Sequence, residues 1–371
     1  MPGTRDATDD LTDAGPHSNP RMVAPTRRHH LATRATLVAA IAVAAFAARG
    51  DAQQLLSTRI EEDNAQLAYW IPAPQRPDDE FANGTRLALS FTGARLWSLI
   101  LGPHAPRCDA TSRDAISDAA TTADAPAARC LSTDFTLAQE MYTPADWHKY
   151  TDPVPGQRPY AGQLLLSGTA NAAAPRENTA LALQLGVAGP PALAGEVQEA
   201  WHRLIGYYPP LGWNHQIGTV PEIDIGAAES RLLVGAAIHG IPVFSLVPRA
   251  SVSAGNVLTG ATAGLESRVG YGAGAPWTAG TSNHTTRLQI YALAAARADW
   301  VWRELVLDRA STDPAYTVSK IPWVGQYEFG GGARLFFLEA EYRAVTRTRQ
   351  YHTGPASEPY AVMTLGVRRS W

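Results

Sequence analysis

The feature that most constrains the fold is a long alternation of apolar and polar residues between Arg287 and Arg303. Alternation with a period of two predicts a β-strand whose two faces meet different surroundings. The stretch exceeds the roughly 9–11 residues that a tilted strand needs to cross a bilayer. Its apolar face consists of Leu288, Ile290, Ala292, Ala294, Ala296, Ala298, Trp300 and Trp302, and its polar face includes Gln289, Tyr291, Arg297 and Asp299. We therefore expect a membrane strand with aromatic residues at one end.

Similar alternation recurs along the chain and predicts about twelve strands, an even number as in single-chain barrels. The other predicted strands are Leu56–Tyr69, one opened by Phe81, Phe135–Tyr142, one opened by Arg158, Ala180–Val187, one around Glu222 and Asp224, Phe244–Ala254, Leu258–Tyr271, one around Glu339–Arg343, and Tyr360–Trp371. Their polar faces carry charges of both signs, which suits a wet barrel interior. The sequence predicts an all-β fold, a transmembrane antiparallel up-and-down β-barrel. A secreted soluble β protein is the alternative.

The N-terminal region has the composition of a targeting segment. Residues 1–21 are polar and without pattern, so they are a disordered extension or precede the true start at Met22. Residues 22–52 combine arginines, the apolar run Ala35–Ala48 and small residues near Ala52, which is the pattern of a secretory signal peptide. A membrane anchor is the alternative. The barrel is expected to occupy residues 53–371.

The two cysteines, Cys108 and Cys130, flank an Ala/Asp/Thr-rich segment within a predicted periplasmic loop at 102–131. An exported protein meets an oxidising compartment, where a disulfide that closes such a loop is the expected state. Two free thiols are the alternative, and the spacing matches no metal motif. The formal net charge of −3 gives no reason to expect a nucleic-acid partner.

The loop 189–216 interrupts the strand pattern with a predicted amphipathic helix from about Leu193 to Ile205. This helix carries Gln198 and His202, and a Gly/Pro/Trp-rich segment follows it. A histidine on the one predicted helix of an all-β chain is the first place to look for catalysis. No G-x-S-x-G elbow or Gly-rich phosphate loop occurs in the sequence. Hydrolysis by an activated water is therefore favoured over a serine nucleophile.

Several motifs over roughly residues 55–230 resemble those of the outer-membrane lipid A 3′-O-deacylases. They are Met141-Tyr142-Thr143-Pro144, Arg158-Pro159-Tyr160-Ala161-Gly162, Leu185-Gly186-Val187-Ala188-Gly189-Pro190, Glu196-Val197-Gln198, His202, and Gly212-Trp213-Asn214-His215-Gln216. The resemblance implies a monomeric barrel in the Gram-negative outer membrane, with the helix in an extracellular-side loop and the active site near the outer leaflet. Its partners would include the lipids of that membrane. It also implies Ca²⁺-dependent hydrolysis of the ester that holds the 3′-linked acyloxyacyl group of lipid A in lipopolysaccharide.

The resemblance also implies roles for five residues. His202 matches the catalytic base, and Gln198 lies one turn earlier on the same helix face. Asp63 matches a catalytic and metal-binding position, and Glu62 stands beside it as a second metal ligand. Lys149 matches a basic loop residue that contacts the substrate, where a cation would meet a lipid A phosphate.

Four positions depart from the family pattern, Glu62 among them. Phe81-Ala82 stands where the family has a Tyr-Thr pair, and Tyr208 stands where the family has an acidic residue. These changes support the alternative of a non-catalytic outer-membrane barrel with a degenerate active site. We expect Glu62, which replaces an amide, to restore the charge that is missing at Tyr208. A general porin is a third and weaker possibility.

Overall fold

The computed structural model describes residues 54–72, 80–93, 108, 129–278, 288–312 and 318–368. The predicted extension at 1–21 and the signal peptide at 22–52 lie outside these ranges, as do most of the cysteine loop and the C-terminal Trp371. The strands are β1 (Leu55–Asn64), β2 (Glu80–Thr92), β3 (Cys130–Thr143), β4 (Ala161–Ala173), β5 (Glu177–Ala188), β6 (Val220–Arg231), β7 (Val234–Ile238), β8 (Ile241–Gly255), β9 (Leu258–Tyr271), β10 (Leu288–Glu304), β11 (Trp323–Leu335), β12 (Leu338–Thr348) and β13 (Ser357–Arg368). The α-helices are α1 (Ala194–Ile205) and α2 (Leu305–Thr312).

The strands form one antiparallel sheet that closes on itself. β1 pairs with β13 from Ser57–Arg368 to Asn64–Ala361, so the first and last strands complete the ring. β6 pairs with one half of β8, and the short β7 pairs with the other half. With β7 set aside, twelve of the thirteen strands form the closed wall, which confirms the predicted barrel.

The two faces of β10 confirm the alternation that the sequence shows. Ile290 and Trp302 on the apolar face are 57% and 69% exposed, whereas Gln289 on the polar face is buried. The apolar face therefore points outward, where lipid surrounds a membrane barrel. None of the helices in the described ranges combines the length and apolar character needed to cross a bilayer.

The barrel interior is lined by pairs of arginine and carboxylate side chains. Glu266, for example, is contacted by Arg249, Arg268 and Arg343 at 3.2, 2.7 and 3.2 Å. Further pairs are Arg86 with Glu140, Arg343 with Glu328, Arg297 with Asp299, and Arg368 with Glu339. Charges of both signs thus fill much of the space that a porin would leave to water.

The two ends of the barrel differ. The helix end carries the β5–β6 connection with α1. There α2 places Leu305, Val306 and Leu307 in an apolar cluster. Its aromatic members are Phe81, Tyr142 and Tyr360 of the wall and Tyr351 of the β12–β13 connection. The opposite, disulfide end carries the Cys108–Cys130 bond, which was the expected state of the two cysteines. Trp277 packs against that bond and donates a hydrogen bond to the Ala174 carbonyl at 2.9 Å.

Some predicted element boundaries are wrong, for identifiable reasons. The first strand ends at Asn64 instead of Tyr69, because the Asn64 side chain accepts from the Gln66 amide at 2.7 Å and starts a 3-10 turn. The fourth strand begins at Ala161, not Arg158. Pro159 in between has no N–H to give to a sheet. The second helix, α2, was not predicted, since its eight residues follow β10 without a break.

Candidate active site

The end of β1 presents its side chains alternately to the interior and to the outside. Asp63 is buried on the interior side, where it pairs with Arg86, and Arg86 also contacts Glu140 at 2.7 Å. These three residues line the same interior cavity of about 640 Å³. Because successive residues of a strand point to opposite faces, Glu62 lies on the outer wall. The predicted metal pair Glu62 and Asp63 is therefore divided between two faces of the sheet.

Glu62 belongs to a polar patch on the outer wall of the helix end. Its carboxylate accepts hydrogen bonds from the Asn83 amide and from the Thr85 hydroxyl, the latter at 2.7 Å. Asn64 follows two positions later on the same face of β1. Glu62 of β1 pairs with Thr85 of β2, which pairs with Gln139 of β3. Because neighbouring strands are roughly 4.8 Å apart, the patch lies within about 10 Å of β3.

The patch has the ligand chemistry that calcium prefers. Calcium binds oxygen atoms from carboxylates, amide carbonyls and hydroxyls, and Glu62, Asn64, Asn83 and Thr85 supply all three kinds. Within the described residues, no group of three or more His, Cys, Asp or Glu side chains is placed to hold a metal ion. The side-chain ligands of a calcium ion here would thus be one carboxylate together with neutral oxygens.

The helix α1 starts on the outer wall. Glu140 faces the interior cavity, so its neighbour Gln139 faces outward, and the Gln139 amide donates to the Ala192 carbonyl at 2.7 Å. On the next strand Gly162 also faces outward, and a Cβ at this position would collide with the Cβ of Ala194. The glycine therefore allows the first turn of α1 to rest directly on β4.

His202 is held in a closed aromatic setting on α1. Its ring is buried, with Trp147 and Tyr207 packed edge-on at centroid distances of 5.3 Å each. Its Nδ1 lies 2.6 Å from the backbone carbonyl oxygen of Tyr208. A carbonyl oxygen only accepts, so Nδ1 must carry the proton. In the neutral imidazole the Nε2 atom then keeps its lone pair, as a general base requires.

Gln198 lies one turn before His202 and is also buried. Its Oε1 accepts a hydrogen bond of 2.7 Å from the indole Nε1 of Trp213. The Trp213 ring packs against Tyr160 at 5.1 Å, and the Tyr160 hydroxyl donates to the Trp147 carbonyl at 2.7 Å. Burial raises the pKa of the Tyr160 hydroxyl to about 12, which keeps it a donor. The β3–β4 connection and the segment that follows α1 are thus fixed to each other beside Gln198.

Lys149 lies on the loop between β3 and β4, two residues after Trp147. Its ammonium group is 2.6 Å from the Asp146 carboxylate, and its side chain is 55% exposed. The hydrogen bond from Lys149, with a second one from Gln157, holds the pKa of Asp146 below its usual range. The same pair raises the pKa of Lys149. Lys149 is therefore an exposed cation on the loop that also supplies Trp147.

The structure brings Gln198 and His202 together on one face of α1, with Glu62 on the same outer wall and Lys149 on the neighbouring loop. Asp63 instead faces the interior cavity and is paired there. Sequence reasoning missed Trp147, Tyr207, Asn83 and Thr85. Trp147 and Tyr207 gave no signal, because no spacing along the chain relates them to His202. Asn83 and Thr85 follow directly after the Phe81-Ala82 pair that the family pattern singles out. Alternation along β2 would have placed both side chains on the outer face.

Comparisons with known proteins identify the family and the fold of the chain. A sequence profile of the family described as Outer membrane protein LpxR matches residues 33–369, which is well over half of the chain. The solved structure of LpxR from Salmonella typhimurium superposes with a TM-score of 0.65 at 18% identity, covering 84% of this chain and 100% of that chain. The translocator domain of autotransporter NalP from Neisseria meningitidis gives a TM-score of 0.37 at 6% identity, with coverages of 92% and 98%. No curated protein matches the chain by sequence.

Proposed function

This chain belongs to the LpxR family of outer membrane proteins, and from that premise we propose that it is a lipid A esterase. The reaction is hydrolysis of the ester that holds the 3′-linked acyloxyacyl group of lipid A. The family and the barrel place the chain in the Gram-negative outer membrane, where lipopolysaccharide is a neighbouring lipid. The partners are accordingly lipid A and the surrounding membrane lipids.

The observation that carries the proposal is the state of His202. Its Nδ1 is committed to the Tyr208 carbonyl at 2.6 Å, so Nε2 is the basic atom. Edge-on packing by Trp147 and Tyr207 fixes the plane of the imidazole ring. A histidine with one fixed tautomer, placed outside the barrel wall, is suited to act on a membrane lipid.

In the proposed reaction His202 Nε2 accepts a proton from a water molecule as its oxygen attacks the ester carbonyl carbon. The tetrahedral intermediate then loses the sugar 3′-oxygen, which takes the proton back from the imidazolium. The products are the acyloxyacyl carboxylic acid and a free 3′-hydroxyl group. Gln198 is held by Trp213 on the same helix face, where its amide is positioned to orient the water.

Calcium, when bound, would supply positive charge that stabilises the developing oxyanion. The residues that would hold it are Glu62, Asn64, Asn83 and Thr85. Asp63, which pairs with Arg86 on the interior face of β1, is not among them. Lys149 remains the proposed contact for a lipid A phosphate, since its charged group is exposed.

One observation favours the alternative of a non-catalytic barrel. Position 82 carries a buried alanine without a hydroxyl group, and position 208 carries a tyrosine instead of an acid. Other polar groups lie nearby. The Thr85 hydroxyl donates a hydrogen bond to Glu62, and the Tyr208 carbonyl oxygen accepts one from His202. These contacts supply the polar atoms that the two side chains lack, which supports the esterase.

The test is a hydrolysis assay with purified protein in detergent, lipopolysaccharide and Ca²⁺. We expect the wild type to release the 3′ acyloxyacyl acid and His202→Ala to release at least about a hundredfold less, the usual contribution of a general base. His215→Ala is the matched control. His215 is a half-exposed histidine on the same β5–β6 connection as His202, and it pairs with Asp152 of the β3–β4 connection. Equal activity of His202→Ala and wild type would overturn the proposal.

A further inference from the structure

The helix α1 has three distinct faces. At roughly 100° per residue, its residues fall into three separate stripes. The stripe toward the wall is buried and consists of Ala194, Gly195, Gln198 and His202. A second stripe is apolar and exposed, and consists of Val197, Trp201 and Leu204. The third is charged and consists of Glu196, Glu199 and Arg203. The apolar stripe is therefore not the surface that attaches the helix to the barrel.

The exposure of the apolar stripe is large for a water-facing surface. Leu204 is 76% exposed, Trp201 56% and Val197 44%. Ile205, the last residue of the helix, borders the patch beside Trp201 and is 53% exposed. A contiguous exposed apolar patch of this kind marks an interaction site. The charged stripe lies on the far side, where Arg203 and Glu199 form a loose pair of 3.8 Å with both side chains exposed.

The patch continues the outer surface of the barrel. The helix begins on the outward side of β4, at Gly162, and follows β5 after a short turn at Pro190–Ala192. The outward residues Leu185 of β5 and Ile223 of β6 are 46% and 55% exposed, like other lipid-facing positions of the wall. A helix that packs on the outer wall has the same surroundings as the wall, namely the hydrocarbon chains of the membrane.

We propose that the apolar stripe of α1 is immersed in the acyl chains of the membrane leaflet at the helix end. The helix lies along the interface, with its charged stripe toward water and its buried stripe toward the wall. Trp201 sits at the headgroup level, as tryptophan does at membrane borders. The occupant of the patch is lipid, and neither a second copy of the chain nor solvent covers it.

The test is nitroxide labelling at single introduced cysteines, since both native cysteines are joined in the disulfide. Leu204→Cys reports on the apolar stripe, Glu199→Cys on the charged stripe, and Ile225→Cys on the lipid-facing wall. The full chain is reconstituted in phosphatidylethanolamine and phosphatidylglycerol vesicles. Relaxation of the label is measured with O₂, which partitions into lipid, and with Ni-EDDA, which stays in water.

We expect the ratio of O₂ to Ni-EDDA relaxation at Leu204→Cys to match that at Ile225→Cys. It should be several-fold higher than at Glu199→Cys. A ratio at Leu204→Cys equal to that at Glu199→Cys would show a solvent-exposed helix and overturn the proposal. Low access to both reagents with spin–spin broadening would show a second copy on the patch and overturn it too. The readout does not depend on hydrolysis, so it is independent of whether the esterase proposal holds.

Discussion

The imidazole of His202 is oriented by a backbone atom, the carbonyl oxygen of Tyr208. A backbone carbonyl is present whatever side chain occupies position 208. The missing acidic side chain at this position therefore does not remove the hydrogen bond that fixes the histidine tautomer. The Tyr208 side chain itself is 67% exposed and packs beside His148.

A first prediction concerns Glu62 as the carboxylate of the calcium patch. Glu62→Gln keeps the size of the side chain and removes its charge. A unit charge at about 4 Å from a divalent ion is worth about 2 kcal/mol even in water, so we expect the Kd for Ca²⁺ to rise at least about tenfold. Isothermal titration of the detergent-solubilised protein with Ca²⁺ measures this directly.

Glu61→Gln is the matched control, because Glu61 is the preceding residue and faces the interior toward Arg86 at 3.0 Å. We expect Glu61→Gln to leave the calcium affinity unchanged. A loss of affinity in Glu61→Gln or Asp63→Asn, with none in Glu62→Gln, would place the ion inside the barrel instead.

The sequence predicted that Gln198 and His202 lie on a common helix face, because helical spacing is local. It did not predict which atoms hold them. The partners Trp147, Tyr207 and Trp213 reach the helix through loop conformations that no periodicity encodes. The position of Glu62 and Asp63 on opposite faces of β1 could have been predicted, since the side chains of neighbouring strand residues point to opposite faces.

At the scale of elements, the docking of α1 depends on the missing side chain at Gly162. We predict that Gly162→Ala displaces the helix from β4, because the added Cβ would collide with Ala194. Overpacking of this kind costs about 1–3 kcal/mol. Tryptic cleavage after the exposed Arg203 should become faster, and hydrolysis of lipid A should fall.

Gly168→Ala is the control for this change. Gly168 lies on the same strand, and a Cβ there would meet only the Phe135 ring at an ordinary 3.6 Å. Equal cleavage rates in the two variants would mean that the close approach of α1 to β4 is not required for docking.

Strand identity was largely predictable, and strand ends were not. Alternation over β10 defines its faces without help from the rest of the chain, as the outward Ile290 and Trp302 show. The ends depend on single side chains that redirect the backbone, such as Asn64 after β1. The helix α2 was hidden because Leu305, Val306 and Leu307 extend the strand without a turn signal.

At the scale of the whole molecule, the disulfide ties the β2–β3 connection to the wall. We predict that the double change Cys108→Ser and Cys130→Ser lowers the free energy of unfolding by about 3 kcal/mol, the loop-closure value for a loop of this order. Urea unfolding in detergent measures it. Reductant should destabilise the wild type by a similar amount and leave the double variant unchanged, and an equal effect on both would contradict the assignment.

The charged side chains of the interior lead to a further prediction. Arginine–carboxylate pairs line the barrel, α2 packs into the apolar cluster at the helix end, and Trp277 packs against the disulfide at the other end. We therefore expect liposomes that contain the protein not to swell in solutions of small sugars. Swelling comparable to that with a porin would show an open channel and revive the porin interpretation.

The most direct test of the esterase is the mass of lipid A from Gram-negative cells that express the chain. Cells with the wild type should lose the mass of the 3′ acyloxyacyl group when Ca²⁺ is supplied, and cells with His202→Ala should keep it. Immunoblots of outer-membrane fractions establish that both proteins are present at equal levels. Unchanged lipid A with well-folded wild type, or an equal loss with His202→Ala, would contradict hydrolysis by this histidine.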